Sequence, residues 1–468
     1  MRSLALILLV TVAAAESAVA SAAEAPVKGR IVEGVACASD PTQTYTLFLP
    51  DGYDPARPWP VLLVLDPGGR SVAAAGRFIE AAQELGWIVV SSDGTRSDVG
   101  MEPNRLAVNA LWPEIHERYA IDRRRIYLAG FSGTVGVAFL LARETNAIAG
   151  IIAAGGRFIE EVYAGNKAPV FAAAGDGDFN YQGMRAVHAR MLEDGVPIRF
   201  EAFSGRHEWM PPAIARHAVE WMELQAMRRG LRARDDGFVD RLLAAELAVA
   251  AALEAEGRGL EALRSYRALV ADFEGLRDLS SARARLAALE ADPEVVRAAA
   301  LEMRWIEREQ REREKINATL GRFLATEPAP PPEVLAAELE VARLQRQAEG
   351  DGIEAATARR VLAHLLSNLS FYLPQELLAA HRPGHAASAL GVACRIEADN
   401  RVLWYNRACA LSLSGHRSAA LDALEHAVQL GFADAALMRS DPDLAGVRDS
   451  GRFRALLDAV EQRAAAAR

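Results

Sequence analysis

Cysteine is scarce: the 468 residues include three, Cys37, Cys394 and Cys409, too few for a disulfide scaffold. Cys394 and Cys409 are placed to face each other on adjacent antiparallel helices, and an oxidising compartment would permit a bond. Small packed thiols are the favoured reading, and none of the three is a candidate nucleophile or metal ligand. The chain also lacks a long basic run, and its net charge is −9, which argues against nucleic acid as a partner. Beyond the first residues no stretch is apolar and uncharged over the ~20 residues that a membrane helix needs. What remains is ordinary for a soluble globular chain, 51% hydrophobic and 25% charged. More than one domain is expected, since single cores rarely grow past ~250–300 residues.

The first residues have the form of a secretory leader, assigned to 1–22. Arg2 gives a positive start, Leu4 to Ala15 is apolar, and small residues at Ala18, Ala20 and Ala22 suit cleavage. Export to a periplasmic or extracellular location is therefore expected. No cysteine follows the candidate cleavage sites, so a lipid anchor is not.

From Ile31 to about Gly230, strand-like and helix-like runs alternate. TYTLFLP (44–50) alternates as a strand, and PVLLVLD (60–66) is continuously apolar, as a strand covered on both faces should be. A helix is predicted over 72–85, then the strand WIVVSSD (87–93), a helix over 103–119 and the strand RIYLAG. Further on come AIAGIIAAGG (147–156), APVFAAAGD (168–176), a helix over 181–194, IRFEAF (198–203) and a closing helix through Trp221. Such alternation implies a mainly parallel sheet with helices on both faces, assigned to 23–230. Ligands of such sheets bind beyond the carboxyl ends of the strands.

Ser132 lies where the strand RIYLAG turns into an apolar helix. A serine on that sharp corner is lifted clear of the sheet, as a nucleophile should be. The pattern G-x-S-x-G would place a glycine at 134, but the chain reads Gly130, Phe131, Ser132, Gly133, Thr134. A serine needs a base to take its proton, and a histidine base needs an acid to fix its tautomer. Just past later strand ends lie Asp176-Gly177-Asp178 and then His207, in the chain order that such enzymes use. Asp176 and Asp178 compete for the acid role. Asp178 is favoured, since it has room to turn back over the sheet while Asp176 could cap the following turn. His116, His188 and His217 fall within helical patterns and read as partly exposed or packed side chains. Negative charge developing on the substrate needs two N–H donors: one is expected from Gly133, the other from Gly68 or Gly69, since Pro67 cannot donate.

The segments DRRRIYLAGFSG, GDGDFNY and FSGRHEWMPP together resemble the secreted esterases of the α/β-hydrolase superfamily, including polyhydroxybutyrate-depolymerase-like and feruloyl-esterase-like enzymes. The resemblance covers about residues 30–228. It implies ester hydrolysis through an acyl-enzyme, with Ser132 as nucleophile, His207 as general base and then acid, and Asp178 orienting it. A small-molecule or polymeric ester would be the substrate, and the mechanism needs neither metal nor cofactor. Thr134 departs from the family pattern, and a β-branched residue there is expected to crowd the turn.

Past Gly230, Ala, Leu, Arg and Glu dominate and helical spacing prevails. A helical region with a weak repeat is assigned to 231–325, a Pro-rich break to 326–333 and a repeat domain to 334–468. RWIEREQREREKI (304–316) reads as a charged helix with a solvated face. The run 399–434 resembles a tetratricopeptide repeat, with Trp404, Tyr405, Ala408, Ala410, Gly415, Ala420 and Leu424 at its characteristic places. GRGLEALRSYRALVADF (257–273) resembles a weaker one, and 440–457 the tail that follows such arrays. Such arrays bind proteins or self-associate, or here cap the hydrolase. No constellation for chemistry is read in 231–468, and His381, His385, His416 and His426 form no metal set. Two functions stand at this stage: an exported serine esterase with a helical repeat domain, and an exported interaction protein whose hydrolase domain is inert, a reading that Thr134 keeps open. A serine peptidase on the same scaffold is a lesser alternative.

Overall fold

The computed structural model describes residues 27–157 and 163–466, so the expected leader at 1–22 lies outside the described residues. Eight strands form one sheet: β1 (Ile31–Ala36), β2 (Thr44–Phe48), β3 (Trp59–Leu65), β4 (Ile88–Ser92), β5 (Ile121–Phe131), β6 (Ile148–Ala154), β7 (Val170–Gly175) and β8 (Ile198–Phe203). Their order is β1-β2-β4-β3-β5-β6-β7-β8. The β1–β2 and β2–β4 pairs are antiparallel, and all pairs from β4 to β8 are parallel. This is the α/β-hydrolase fold, followed by a helix-rich region. The central strands β3 and β6 are buried at every residue, as their unbroken apolar sequence requires. β1 has no counterpart among the predicted strands, because it is an exposed edge strand with little apolar patterning.

The predicted helix over 72–85 is two, α1 (Ser71–Gly76) and α2 (Ile79–Leu85). The chain breaks between them to sink Phe78, which is wholly buried and meets Trp209 edge-on at 6.1 Å. α3 (Glu102–Arg118), α4 (Thr134–Thr145), α5 (Tyr181–Glu193) and α6 (Pro212–Arg228) complete the layers on the sheet. One apolar core lies on each face, built around Leu63, Leu128 and Ile151 on one side and Val64, Ala129 and Ile152 on the other. That split follows from the alternation of side chains along each strand.

α7 (Asp236–Ala255), α8 (Gly259–Phe273), α9 (Ser280–Ala291) and the 33-residue α10 (Pro293–Ala325) follow. Leu224 and Met227 of α6 share a core with Phe238, Leu242 and Leu269, so apolar packing is continuous across Gly230. After α11 (Pro332–Glu338) and α12 (Val341–Ala348), α13 (Gly352–Ser367) runs into a π-helical turn at Asn368–Tyr372. α14 (Leu373–Ala379), α15 (Pro383–Ile396), α16 (Arg401–Leu413), α17 (Arg417–Gln429), α18 (Ala435–Ser440) and α19 (Gly451–Ala466) complete the chain. α16 and α17 pack together through the fully buried Ala408 and Ala420, whose small side chains let the helices approach closely. All three cysteines are free and buried. Burial raises the Cys37 thiol to about 11 and the Cys394 thiol to about 12, so both are poor nucleophiles.

Among the described residues no helix is long and apolar enough to cross a membrane.

Candidate active site

Ser132 directly follows β5 at φ +53, a left-handed conformation that a non-glycine residue adopts only when its surroundings impose it. Here they do. The Ser132 N–H donates to Ala154 O at 2.9 Å, and Gly130 permits the chain to fold back, since a Cβ there would stand 2.8 Å from Thr134 O. Thr134 does not crowd the turn as expected. Its side chain is buried beneath the elbow, where the hydroxyl accepts from Phe131 N at 3.1 Å and lies 2.8 Å from Phe131 O and within donating reach of Leu65 O. The glycine that the turn requires is therefore Gly130, and the threonine ties the turn to the end of β3.

Asp178 follows β7 and His207 follows β8. The two loops are joined by Asp176 N to Phe203 O at 2.8 Å and by Gly177 N to Gly205 O at 2.9 Å. This pairing brings the acid under the base. His207 Nε2 lies 2.9 Å from Ser132 Oγ, and His207 Nδ1 lies 2.9 Å and 3.0 Å from the two Asp178 oxygens. Asp178 is completely buried, and Asn180 N donates to it at 2.7 Å. Asp176 is exposed and only receives Gly205 N, at 3.3 Å, so it takes the surface role. Phe179 and Phe131 lie against the His207 ring, with centroids 4.3 and 4.8 Å away.

The oxyanion donors divide. Gly133 is the N-cap of α4, so its N–H stands outside the helical ladder and is free to face a ligand. A side chain at 133 would meet Ser97 Cβ at 2.5 Å, so the loop after β4 leans directly on this turn. Gly68 and Gly69 do not match the expectation. Gly68 N donates to Asp66 Oδ1 at 2.8 Å and Gly69 N to Asp66 O at 3.1 Å, which turns both amides inward. Asp66 is almost fully buried and also accepts from Trp209 Nε1 at 2.8 Å and Arg70 Nε at 3.0 Å. Burial alone would raise its pKa, but these hydrogen bonds outweigh that and hold the carboxyl below the usual range. Pro67 faces the cavity and has no N–H to offer.

Ser132 and His207 open into a cavity of about 1090 Å³. One wall belongs to the sheet loops, with Pro67, Phe131 and Phe179. The other belongs to the helical region, with Leu362, Leu366, Phe371 and Tyr372. Phe371 and Tyr372 stand on the π-helical turn, edge to face at 5.1 Å, and both stay substantially exposed. Arg206 and Glu397 form an ion pair of 2.7 Å among the lining residues, joining the two walls.

The charged helix at 304–316 exposes most of its residues, but its other side is covered: Glu309 is 1% exposed, and Arg313 binds it at 2.7 Å. A second buried set joins the regions elsewhere. Arg199 lies 2.9 Å from Asp272, 2.7 Å from Glu246 and 3.2 Å from Glu201, while His217 bridges Glu201 and Glu246 at 2.7 and 2.5 Å. Ligand atoms of Glu201, His217 and Glu246 lie within 4.8 Å of one another. The Arg199 guanidinium is already on both carboxylates, so this set reads as an ion network and not as a cation cage.

No known family's sequence model matches the chain, and no curated protein is a recognisable relative. Among solved structures it is similar to a fluorophosphonate-binding serine hydrolase of Staphylococcus aureus, 14% identical over 38% of this chain and 92% of that one, with a TM-score of 0.33. A ferulic acid esterase is 18% identical over 38% of this chain and 89% of that one, at TM-score 0.32. An esterase of Pyrobaculum calidifontis is 12% identical over 44% and 87%, at TM-score 0.34. These three are esterases or serine hydrolases by description, each under 20% identical to this chain.

Proposed function

We propose that this protein is an exported serine hydrolase that cleaves carboxylic esters through an acyl-enzyme. The observation that carries the reading is the unbroken relay from Ser132 Oγ through His207 to Asp178, with both links at 2.9 Å. Asp178 accepts from Nδ1–H, which leaves Nε2 unprotonated and aimed at the hydroxyl. His207 takes the Ser132 proton as Oγ attacks the ester carbonyl, and then delivers it to the departing alcohol. Water, deprotonated by the same Nε2, releases the acid and frees Ser132. The Gly133 N–H, at the positive end of α4, stabilises the oxyanion formed in both halves.

The cavity wall of Leu362, Leu366, Phe371 and Tyr372 supports a substrate with a sizeable apolar group beside its ester. The helical region then caps the hydrolase, and self-association or protein binding would use its outer face. The reading of an inert hydrolase domain rested on crowding by Thr134, and that crowding is absent. Fluorophosphonate labelling and p-nitrophenyl ester turnover of the mature chain test the proposal. Both should be present in the wild type and lost in Ser132→Ala; a folded wild type that behaves like the variant in both assays would refute it.

A further inference from the structure

Two arginines of the helical region grip the loop that carries the acid. Arg313, on α10, donates to Phe179 O at 2.9 Å. Arg360, on α13, donates to Asp176 O at 3.1 Å. The two carbonyls bracket Asp178, so the loop is held on both sides of the carboxylate. Glu309 holds both arginines, accepting from Arg313 Nη2 at 2.7 Å and from Arg360 Nε at 2.8 Å. Arg360 also donates to Thr357 Oγ1 at 3.2 Å and lies over the Tyr181 ring, 5.2 Å from its centroid, at the start of α5.

Burial makes this cluster more than a surface tie. Glu309 and Arg360 are 1% and 5% exposed, so water cannot replace a lost partner cheaply. The backbone amides of Asp176 and Gly177 are tied to the loop after β8, but two carbonyls of the same loop are held from the helical region. Asp178 gains local fixing from Asn180 N, but the main-chain carbonyls of Asp176 and Phe179 are held by the arginines alone among the hydrogen bonds of the described residues. Phe179 in turn lies against the His207 ring, so its carbonyl grip also limits where the imidazole sits.

Resting on the serine-hydrolase reading, we infer that Glu309, Arg313 and Arg360 are positioning residues that fix Asp178 and Phe179 against His207, making the helical region a working part of the hydrolase. Loosening the loop by about 1 Å is enough to cost two orders of magnitude in rate, because the relay depends on aligned hydrogen bonds. Simple attachment of the two regions is a different matter, and the structure offers a control for it. Arg185 and Glu302 join α5 to α10 by two 3.0 Å contacts; Arg185 lies over the Tyr181 ring, 5.7 Å from its centroid, but neither residue hydrogen-bonds the acid-loop carbonyls or lines the cavity.

The experiment uses the full mature chain with Glu309→Gln, Arg313→Met, Arg313→Lys and Glu302→Gln, following p-nitrophenyl ester kinetics, fluorophosphonate labelling rate and thermal unfolding. Glu309→Gln and Arg313→Met should lower kcat and the labelling rate about 10- to 100-fold with KM within about twofold. Arg313→Lys keeps a donor for Phe179 O and should recover most of the rate, while Glu302→Gln should lower the melting temperature without lowering kcat. If Glu309→Gln fails to fold, the Arg313 pair carries the comparison alone. Folded Met and Gln variants with wild-type kcat and labelling overturn the inference, as does a Glu302→Gln variant that loses as much rate as they do. A wild type that neither labels nor turns over esters instead overturns the hydrolase reading on which the inference stands.

Discussion

A methyl group on Gly155 would stand 2.8 Å from Asp178 Oδ2 and 3.4 Å from His207 Nδ1. Gly155 follows β6, and its φ of +50 together with this closeness leaves no room for another residue. Asn180 Nδ2 binds the Gly155 carbonyl at 2.9 Å, so the glycine is also tied to the acid loop.

Gly155→Ala should therefore disable the relay while leaving the sheet intact. The added carbon pushes Asp178 off His207, and we expect ester turnover to fall about 100-fold or more, with a stability loss of about 1–2 kcal/mol from the left-handed backbone. Steady-state kinetics and thermal melting check both parts.

Thr134→Val keeps the shape beneath the elbow and removes its hydroxyl. Phe131 N then loses its acceptor in a fully buried place, at a cost of about 1–3 kcal/mol. The melting temperature should drop accordingly. Thr134→Gly, which restores the expected glycine, should not raise kcat, because the threonine obstructs nothing.

Phe371→Ala removes half of the exposed aromatic pair on the far wall of the cavity. For esters with a bulky apolar group KM should rise roughly fivefold, equivalent to about 1 kcal/mol, with a smaller change for acetyl esters. A chain-length series of p-nitrophenyl esters reads the difference.

The ion network of Arg199, Glu201, His217 and Glu246 sets the pH range of stability. Burial works against a charged His217, but hydrogen bonds to Glu201 and Glu246 outweigh it and raise its pKa to about 10. Burial likewise opposes a charged Glu246, yet His217 and Arg199 hold it at about 2. A raised histidine contributes fully below its unfolded value of about 6.5 and is lost as pH climbs toward 10. A lowered glutamate contributes above about 4.5 and is lost as pH falls toward 2. Stability should thus be highest between about pH 5 and 6.5 and decline on either side. His217→Gln should cost about 3 kcal/mol at pH 6 and flatten the alkaline decline, as urea unfolding across pH would show.

The strands that carry the relay were legible because burial on both faces leaves an unbroken apolar mark, as in VLLVL before Asp66 and IYLAG before Ser132. Ser132, Asp178 and His207 could be picked out by their places after strand ends, since a parallel sheet gathers those ends on one side. β1 left no such mark, being an exposed edge. Gly68 and Gly69 misled for a different reason: a glycine pair marks where backbone can come close, and nothing in it tells which way the amides point. Their direction was decided by Asp66, a buried carboxylate that also accepts from Trp209, 143 residues away in sequence.

Glu309, Arg313 and Arg360 show the same limit most clearly. In sequence they are three charges on helices rich in charge, indistinguishable from a solvated face, because periodicity reports which side of a helix is apolar and says nothing of a polar side that another region covers. Local pattern and chain direction are enough to mark the sheet, the serine on its corner and the order of acid and base. That Thr134 fits beneath the elbow, that Gly155 leaves space for the acid, and that the helical region reaches back to hold it emerge from the folded chain alone. Each of these depends on atoms brought together from distant parts of the chain, where close packing and the need to satisfy buried charges select one arrangement.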